Sequence, residues 1–255
     1  MTELLEVREM NHHFGGLKAV DGVTFSVKEH MVKAVIGPNG AGKTTLFNLI
    51  SGSLIPDSGE VEFQGDMIQG LPPYKIARLG ISRTFQHIRL FPKMTALENV
   101  MIGRHIHSRA GFIAGMLNLP WTWREGGKVR EESLEMMAFL GISHLAEVDA
   151  KSLSYGQQRS VELARALACD PRLLLLDEPA AGLNIRETRE IGKIILKIRE
   201  RGVTVLIVDH DMSLVMNISD EIVVLSYGQK IADDVPQTVQ KDEEVIRVYL
   251  GEEDA

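Results

Sequence analysis

Short apolar runs alternate with helix-like segments along most of the chain. Four of these runs are almost continuously apolar: Val32–Ile36, Leu173–Leu176, Val203–Val208 and Ile222–Leu225. Such runs are typical of strands that are covered on both faces, as in the parallel sheet of an α/β protein. The pattern therefore predicts an α/β fold with a parallel sheet at its centre.

Two other regions have different patterns. Val23–Val27 and Val61–Phe63 are shorter and closer to strict alternation, and the turn sequence Pro56-Asp57-Ser58-Gly59 precedes the second run. Alternation is typical of strands with one face toward solvent, so we expect an antiparallel β flap beside the main sheet. Between about residues 90 and 151 strand-like runs are missing, which predicts a helical lobe. Within it, residues 105–127 contain Gly, Pro and Trp without clear periodicity, and we predict a loop-rich insertion there.

Two helix starts are marked by pairs of residues that cap helices. Thr95 is followed three positions later by Glu98, and Asn184 is followed three positions later by Glu187. These are capping-box patterns, in which each side chain accepts a backbone N–H of the other residue. We therefore expect one helix to begin after Thr95 and another after Asn184.

Composition and charge narrow the classes of function. The chain has 255 residues with 28 Lys and Arg against 35 Asp and Glu, a net charge of −7 that argues against coating nucleic acid with basic surface. The single cysteine, Cys169, fits a reducing cytoplasm. No apolar run approaches the roughly 18 residues of a membrane span, so we expect any membrane role to depend on a partner.

A glycine-rich segment, Gly37–Thr44, has the spacing G-x-x-x-x-G-K-T between a predicted strand and a predicted helix, Lys43–Ile50. Glycines let backbone N–H groups turn inward around a phosphate, and the helix start adds partial positive charge. Lys43 is long enough to reach the β- and γ-phosphates, and Thr44 offers a hydroxyl to Mg²⁺. The alternative is a glycine-rich turn that only joins a strand to a helix, but all eight positions match the motif. The residues predicted to bind ATP here are Gly37, Pro38, Asn39, Gly40, Ala41, Gly42, Lys43, Thr44 and Thr45.

Three further polar residues follow predicted strands. Asp177 and Glu178 end the run that starts at Leu173, and His210 follows the run that ends near Val208. We predict that Asp177 binds Mg²⁺, directly or through water, and that Glu178 orients or deprotonates the attacking water. His210 is predicted to reach the γ-phosphate. The alternatives are solvated acids at a strand end and a surface or helix-capping histidine.

The segment Leu153–Gln157 has the sequence Leu-Ser-Tyr-Gly-Gln and precedes the Asp177-Glu178 pair. This order of phosphate loop, signature, acidic pair and histidine resembles the ATP-binding subunits of ABC transporters over nearly the whole chain. The resemblance implies an α/β fold with a P-loop NTPase (RecA-like) core, an antiparallel β flap and an inserted α-helical subdomain. It implies one ABC ATP-binding domain over residues 1–255, with the core in 1–89 and 155–255 and the helical lobe in 90–154.

The same resemblance implies further site residues. Gln86 matches the loop that senses Mg²⁺ and water, and Asn184 stands where the loop after the acidic pair commonly has Asp. The predicted catalytic residues are therefore Lys43, Gln86, Glu178 and His210. The predicted metal ligands are Thr44, Gln86 and Asp177. Phe14 is expected to stack on adenine, and Val20 to pack near the ribose. The signature residues expected to complete a nucleotide site in the partner subunit are Ser154, Tyr155, Gly156 and Gln157, although the third position is usually Gly.

Within the family, four segments look like the LivG type, the ATP-binding subunits of branched-chain amino acid importers in bacteria: Phe14–Val20, Arg83–Phe91, Pro179–Asn184 and Val245–Gly251. This resemblance implies an ATP hydrolase coupled to transport, using ATP and Mg²⁺. The implied partners are a second ABC ATP-binding subunit, either a related chain or an identical one, and integral membrane permeases. It places the protein peripherally at the cytoplasmic face of the inner membrane.

Other interpretations stay open at this point. The solute of a related system would be urea or an amide, or the system would export lipopolysaccharide. Another alternative is a non-transport ABC ATPase that acts on nucleic acid, although the negative net charge argues against it. A further alternative is a regulator that binds nucleotide without hydrolysing it. We also expect the region from Gln86 to Met94 to receive a short helix of a membrane subunit, with simple packing of the lobes as the alternative.

Overall fold

The described chain forms two compact units. The structure is a computed structural model that describes residues 2–104 and 120–250. One unit comprises Met1–Ile76 and Arg172–Ala255, and the other comprises Ala77–Pro171. The sequence-based division placed the second part at 90–154 instead. The helix that follows the signature lies in the second unit, because it packs there against the helix Ala96–Arg104.

The described residues form ten strands and nine α-helices. The strands are β1 (Glu3–Phe14), β2 (Leu17–Lys28), β3 (Val32–Ile36), β4 (Ser58–Phe63), β5 (Asp66–Met67), β6 (Ile81–Arg83), β7 (Leu173–Asp177), β8 (Thr204–Val208), β9 (Glu221–Ser226) and β10 (Gln229–Asp234). The helices are α1 (Lys43–Ile50), α2 (Pro73–Leu79), α3 (Ala96–Arg104), α4 (Pro120–Phe139), α5 (Tyr155–Ala168), α6 (Ile185–Glu200), α7 (Met212–Ile218), α8 (Pro236–Val239) and α9 (Glu243–Leu250).

The larger sheet of the first unit has the strand order β10-β9-β3-β8-β7. The strands β9, β3, β8 and β7 are parallel, and β10 pairs with β9 in the antiparallel sense. Every residue of β3, β7 and β8 is buried, as expected for strands covered on both faces. The predicted parallel α/β sheet is therefore confirmed.

The smaller sheet is antiparallel and has the order β2-β1-β4-β5. It confirms the predicted flap, but its central strand β1 was missed by the sequence pattern. The pairing of β1 with β2 shifts register between Val7 and Met10, where Glu9 has φ +47°. A bulge of this kind interrupts the period of two, so β1 does not alternate along its length.

The second unit is largely helical, as predicted, but the predicted loop-rich insertion is partly wrong. Residues 105–119 lie outside the described residues, whereas 120–127 belong to the long helix α4. Pro120 is its first residue, a position that proline favours. Gly126 and Gly127 favoured the prediction of a loop, but each glycine lowers the stability of a helix by only about 1 kcal/mol. The buried residues Ser133 and Met137 farther along α4 hold the helix in place.

Both predicted capping boxes are present. The Thr95 N–H donates to Glu98 Oε2 at 2.8 Å, and the Glu98 N–H donates to Thr95 Oγ1 at 3.2 Å. Asn184 and Glu187 make the equivalent pair at the start of α6. Among the helices that the structure describes, none combines the length and the apolar character needed to cross a bilayer.

Candidate functional site

The carboxyl ends of three parallel strands bring the predicted site residues of the first unit together. Val35 of β3, Val208 of β8 and Asp177 of β7 lie in one row across the sheet, since Val35 and Asp177 both pair with Val208. The chain leaves this row toward the phosphate loop, toward Glu178 and toward His210. Ligands of open α/β sheets bind at this edge, beyond the carboxyl ends of the strands.

The phosphate loop has the backbone conformation that its glycines predict. Gly37, Gly40 and Gly42 have positive φ angles of 148°, 79° and 99°, and Gly42 is the N-cap of α1. A Cβ on Gly37 would collide with the Leu225 carbonyl oxygen of β9, so the loop lies directly against that strand. A loop of this kind before a helix directs backbone N–H groups toward one anion.

Lys43 lies folded onto the same loop. Its side chain is largely buried, and Nζ donates to the carbonyl oxygens of Gly37 at 2.6 Å and Pro38 at 2.8 Å. The ammonium group is thus held against the start of the loop. Thr44 follows at the surface of α1, and Thr45 is half-buried.

Two hairpins pack against the phosphate loop. A Cβ on Gly42 would collide with the Ala19 carbonyl oxygen of β2, and the Gly228 N–H donates to the Ala41 carbonyl at 3.1 Å. The β1–β2 hairpin carries Phe14, whose side chain is half-exposed. The structure therefore places this aromatic residue on the hairpin that touches the phosphate loop.

His12 supports the Phe14 ring and was not singled out by the sequence. The two rings meet edge to face with centroids 4.7 Å apart, and His12 pairs with Val20 across the hairpin. Val20 is fully buried, in contrast to Phe14. The nearby carboxylate of Asp57 accepts from the ring and the backbone N–H of His13, and these hydrogen bonds lower the pKa of Asp57.

Glu178 lies between the ends of β7 and β8. Its backbone N–H donates to the Val208 carbonyl at 2.8 Å, and its φ angle of +49° is unusual for a residue other than glycine. Such strain is concentrated at functional sites. His210 Nδ1 lies 3.9 Å from Glu178 Oε2, and the His210 side chain is 66% exposed whereas that of Glu178 is 17% exposed. Asp177, immediately before it, is buried.

Asp209 lies next to the predicted site residue His210 and was not singled out by the sequence. Its carboxylate is 1% exposed and accepts the Ala180 N–H at 3.2 Å and the Asp211 N–H at 2.9 Å. Burial raises the pKa of Asp209, although the hydrogen bonds from backbone N–H groups oppose the shift. The carboxylate thus joins the loop after Glu178 to the loop that carries His210. The only sequence signal was its place before the histidine.

The second unit carries the signature and Gln86. Ser154 is the N-cap of α5, where its Oγ accepts the Gln157 N–H at 3.4 Å while Gln157 Oε1 accepts the Ser154 N–H at 2.9 Å. Ser154 and Tyr155 are exposed, and Gly156 is half-buried. Gln86 is exposed as well. The predicted residues therefore fall into two groups, one in each unit.

Family models match the chain over most of its length. The ABC transporter model matches residues 20–181, and the model of the branched-chain amino acid ATP-binding cassette transporter matches residues 229–255. The chain is 46% identical over 250 residues to the high-affinity branched-chain amino acid transport ATP-binding protein BraF of Pseudomonas aeruginosa. It is 40% identical over 250 residues to the LivG protein of Escherichia coli, which has the same description. Each alignment covers 98% of both chains.

Solved structures of cassettes have the same fold. The ADP conformation of MJ1267, an ATP-binding cassette of an ABC transporter, has a TM-score of 0.86 at 35% identity and covers 98% of this chain and 100% of its own. The dimeric post-hydrolysis state of the cassette MJ0796, bound to ADP and Pi, has a TM-score of 0.77 at 26% identity, with coverage of 91% and 99%. The phosphate loop, the strand-end carboxylates and these likenesses agree: the chain belongs to the ATP-binding subunits of ABC transporters, ATPases that are coupled to transport.

Proposed function

We propose that this protein hydrolyses ATP to drive the import of branched-chain amino acids. The observation that carries the proposal is the arrangement of the phosphate loop, Glu178 and His210 at one edge of the parallel sheet. The identity to BraF and LivG over 98% of the chain supports this choice of solute. It favours branched-chain amino acids over urea, amides or lipopolysaccharide.

The residues of the first unit fit a nucleotide with Mg²⁺. The positive-φ glycines form a concave loop of N–H groups, and Lys43 places an ammonium group inside it. The hydroxyl of Thr44 and the buried carboxylate of Asp177 are oxygen ligands of the type that Mg²⁺ prefers. When bound, Mg²⁺ neutralises charge on the transferred phosphoryl group.

Glu178 and His210 act where the phosphoryl group is transferred. We assign to Glu178 the orientation of the attacking water and acceptance of its proton, and to His210 a contact with the γ-phosphate. The exposure of His210 leaves its ring accessible to such a ligand. Positioning and charge neutralisation supply most of the catalysis in phosphoryl transfer, which suits a site made mainly of backbone donors and one lysine.

A second cassette completes the site in this proposal. The exposed N-terminus of α5, with Ser154, Gly156 and Gln157, is a helix start with partial positive charge and suits the nucleotide of the facing subunit. The dimeric state of MJ0796 supports a pair of cassettes. The partners would be a related or identical cassette and membrane permeases at the cytoplasmic face of the inner membrane.

The test compares Glu178→Gln with Lys43→Ala. We expect Glu178→Gln to bind ATP normally and to hydrolyse it roughly 10²–10⁴-fold more slowly, because the amide cannot accept the proton. Lys43→Ala should lose nucleotide affinity. The measurements are ATP binding by titration and steady-state phosphate release.

Two exposed residues of α6 provide matched controls. Glu190→Gln and Lys193→Ala remove the same charges from a surface ion pair, and both variants should bind and hydrolyse ATP as the parent protein does. Parent-like turnover in Glu178→Gln would disprove the role of Glu178, and parent-like binding in Lys43→Ala would disprove the phosphate loop. Uptake of labelled leucine by vesicles that contain the assembled transporter tests the choice of solute.

A further inference from the structure

A cluster of three charged residues with little exposure lies along one side of the signature helix α5, at positions three residues apart. Arg159 is 3% exposed and Glu162 is 2% exposed, and Arg159 Nη1 lies 3.0 Å from Glu162 Oε2. Arg165, one turn farther on, lies 3.9 Å from Glu162 Oε1. Charged side chains are seldom buried unless they form hydrogen bonds or ion pairs. The role of this cluster should therefore follow from the groups to which it is bonded.

Those groups are the backbone of a single segment, residues 85–89. Arg159 donates through Nη1 to the Phe85 carbonyl at 2.7 Å and through Nη2 to the Gln86 carbonyl at 2.6 Å. Glu162 accepts the Arg89 N–H at 3.4 Å, and Arg165 donates to the Arg89 carbonyl at 2.5 Å. One helix thus holds this segment at both of its ends.

The guanidinium group of Arg159 is suited to this task. The guanidinium group is planar and presents several N–H donors in fixed directions. By donating to two adjacent carbonyls, it holds both of them in a fixed position relative to the helix. The cluster is strongly desolvated: burial raises the pKa of Glu162 and lowers that of Arg165, although the opposite charges act against both shifts. Apolar residues at these positions would pack the helix without the cost of removing charges from water. We therefore attribute the charges to the binding of residues 85–89.

The same arginine also contacts the signature itself. Arg159 Nη2 lies 3.4 Å from the Tyr155 hydroxyl, and its Cζ lies 5.7 Å from the centre of the Tyr155 ring. Tyr155 is the residue that replaces the usual glycine at the third signature position. Arg159 therefore joins the signature turn of α5 to the carbonyl of Gln86.

We propose that Arg159 is a positioning residue that couples Gln86 to the signature. Contact of the facing subunit's nucleotide with Ser154 and Tyr155 would then move or hold Gln86 through the guanidinium group. This inference rests on the proposed function, because it concerns the regulation of the same ATPase site. Arg159 itself does not touch substrate in this scheme.

The experiment is a double-mutant cycle between Arg159→Lys and Gln86→Ala in the full chain. Lysine keeps the charge but replaces the planar fork by a single nitrogen atom, so it cannot reproduce the two separate hydrogen bonds that Nη1 and Nη2 make to adjacent carbonyls. We expect Arg159→Lys to lower kcat by about tenfold and to leave the KM for ATP within about twofold, since one charged hydrogen bond is lost and no residue of the phosphate loop is changed. In the Gln86→Ala background the same substitution should have no further effect on kcat.

Arg104→Lys is the matched control. Arg104 also donates to a carbonyl of α5, that of Ala168 at 3.3 Å, and it forms an ion pair with Glu132 of α4. We expect kcat of this variant to equal that of the parent protein. An equal loss in Arg104→Lys, an unchanged kcat in Arg159→Lys, or a full tenfold loss in the Gln86→Ala background would each overturn the proposal.

Glu162→Gln is a second variant in case Arg159→Lys fails to fold. It keeps Arg159 but removes the carboxylate that orients the guanidinium group, so kcat should fall about threefold, again only when Gln86 is present. A parent-like kcat or an additive loss contradicts the coupling. These outcomes are distinct from failure of the proposed function, which would appear as parent-like turnover in Glu178→Gln.

Discussion

Replacement of Lys33 by methionine tests whether a fully buried lysine stabilises the strand that leads into the phosphate loop. Lys33 lies on β3 and is 2% exposed, with Nζ 2.9 Å from Glu221 Oε2 and 2.7 Å from Asp233 Oδ1. Methionine keeps most of the apolar stem, so the substitution removes mainly the charge. It leaves two carboxylates without their shared cation.

The magnitude follows from the exposure of those carboxylates. Removal of one partner from a buried ion pair costs about 3–5 kcal/mol. The side chain of Glu221 is 25% exposed to solvent and that of Asp233 is 21% exposed. Lys28, which lies 2.8 Å from Glu221, remains as a partner after the substitution. Water and Lys28 therefore compensate part of the loss, and we expect the free energy of unfolding to fall by about 2–3 kcal/mol.

Urea unfolding at neutral pH measures this loss, with Lys28→Met as the matched control. Lys28 pairs with the same Glu221, but its side chain is 39% exposed, so its replacement should cost less than about 1 kcal/mol. The double variant Lys33→Met with Asp233→Asn should recover part of the stability, because it removes one uncompensated charge. If Lys33→Met were no less stable than Lys28→Met, the argument from burial would be refuted.

The pH dependence gives a second measurement on the same cluster. Burial raises the pKa of Glu221, but its hydrogen bonds to Lys28 and Lys33 outweigh that effect and the pKa is lowered overall. The stability that this lowered pKa provides is present above the pKa of the unfolded chain and is lost as the pH falls through the folded value. We expect Lys33→Met to show a smaller loss of stability on acidification than the parent protein.

Two further predictions concern the site loops and the second unit. Asp209→Ala removes the acceptor of two backbone N–H groups beside Glu178 and His210; we expect kcat to fall by about tenfold with ATP affinity unchanged, measured by steady-state hydrolysis and titration. Gly103→Ala places a Cβ against the Arg165 carbonyl of α5 and should destabilise the protein by about 1–3 kcal/mol in urea unfolding. Gly127→Ala, in the exposed part of α4 where a Cβ meets no atom, should instead stabilise it by up to about 1 kcal/mol. A loss of ATP affinity in Asp209→Ala would contradict the first expectation. Equal changes in stability for Gly103→Ala and Gly127→Ala would contradict the second.

Features encoded by neighbouring residues were predictable from the sequence. The buried strands follow from continuous apolar runs, the capping boxes from residues three positions apart, and the phosphate loop from glycines and a lysine within eight positions. The covered faces of the sheet also explain why these strands lack alternation. The capping box of Ser154 and Gln157 was encoded in the same way but was overlooked, because the segment was interpreted only as a signature.

Features that depend on distant partners were not predictable. The bulge at Glu9 hides β1 because it displaces the alternation by one residue, and only the pairing with β2 shows it. Residues 120–127 are helical although two of them are glycines, and the buried residues of the same helix, Ser133 and Met137, lie in its later turns. Local propensity cannot report either effect.

The sequence by itself determined that a phosphate loop and two strand-end carboxylates exist in an α/β protein, because each motif is complete within a few residues. Only the tertiary structure decided that Asp209 joins the loop after β7 to the loop after β8 and that Arg159 holds the carbonyl of Gln86. The physical reason is burial: a charged side chain has no fixed partner in a sequence, and the fold selects the backbone groups that compensate for its loss of water.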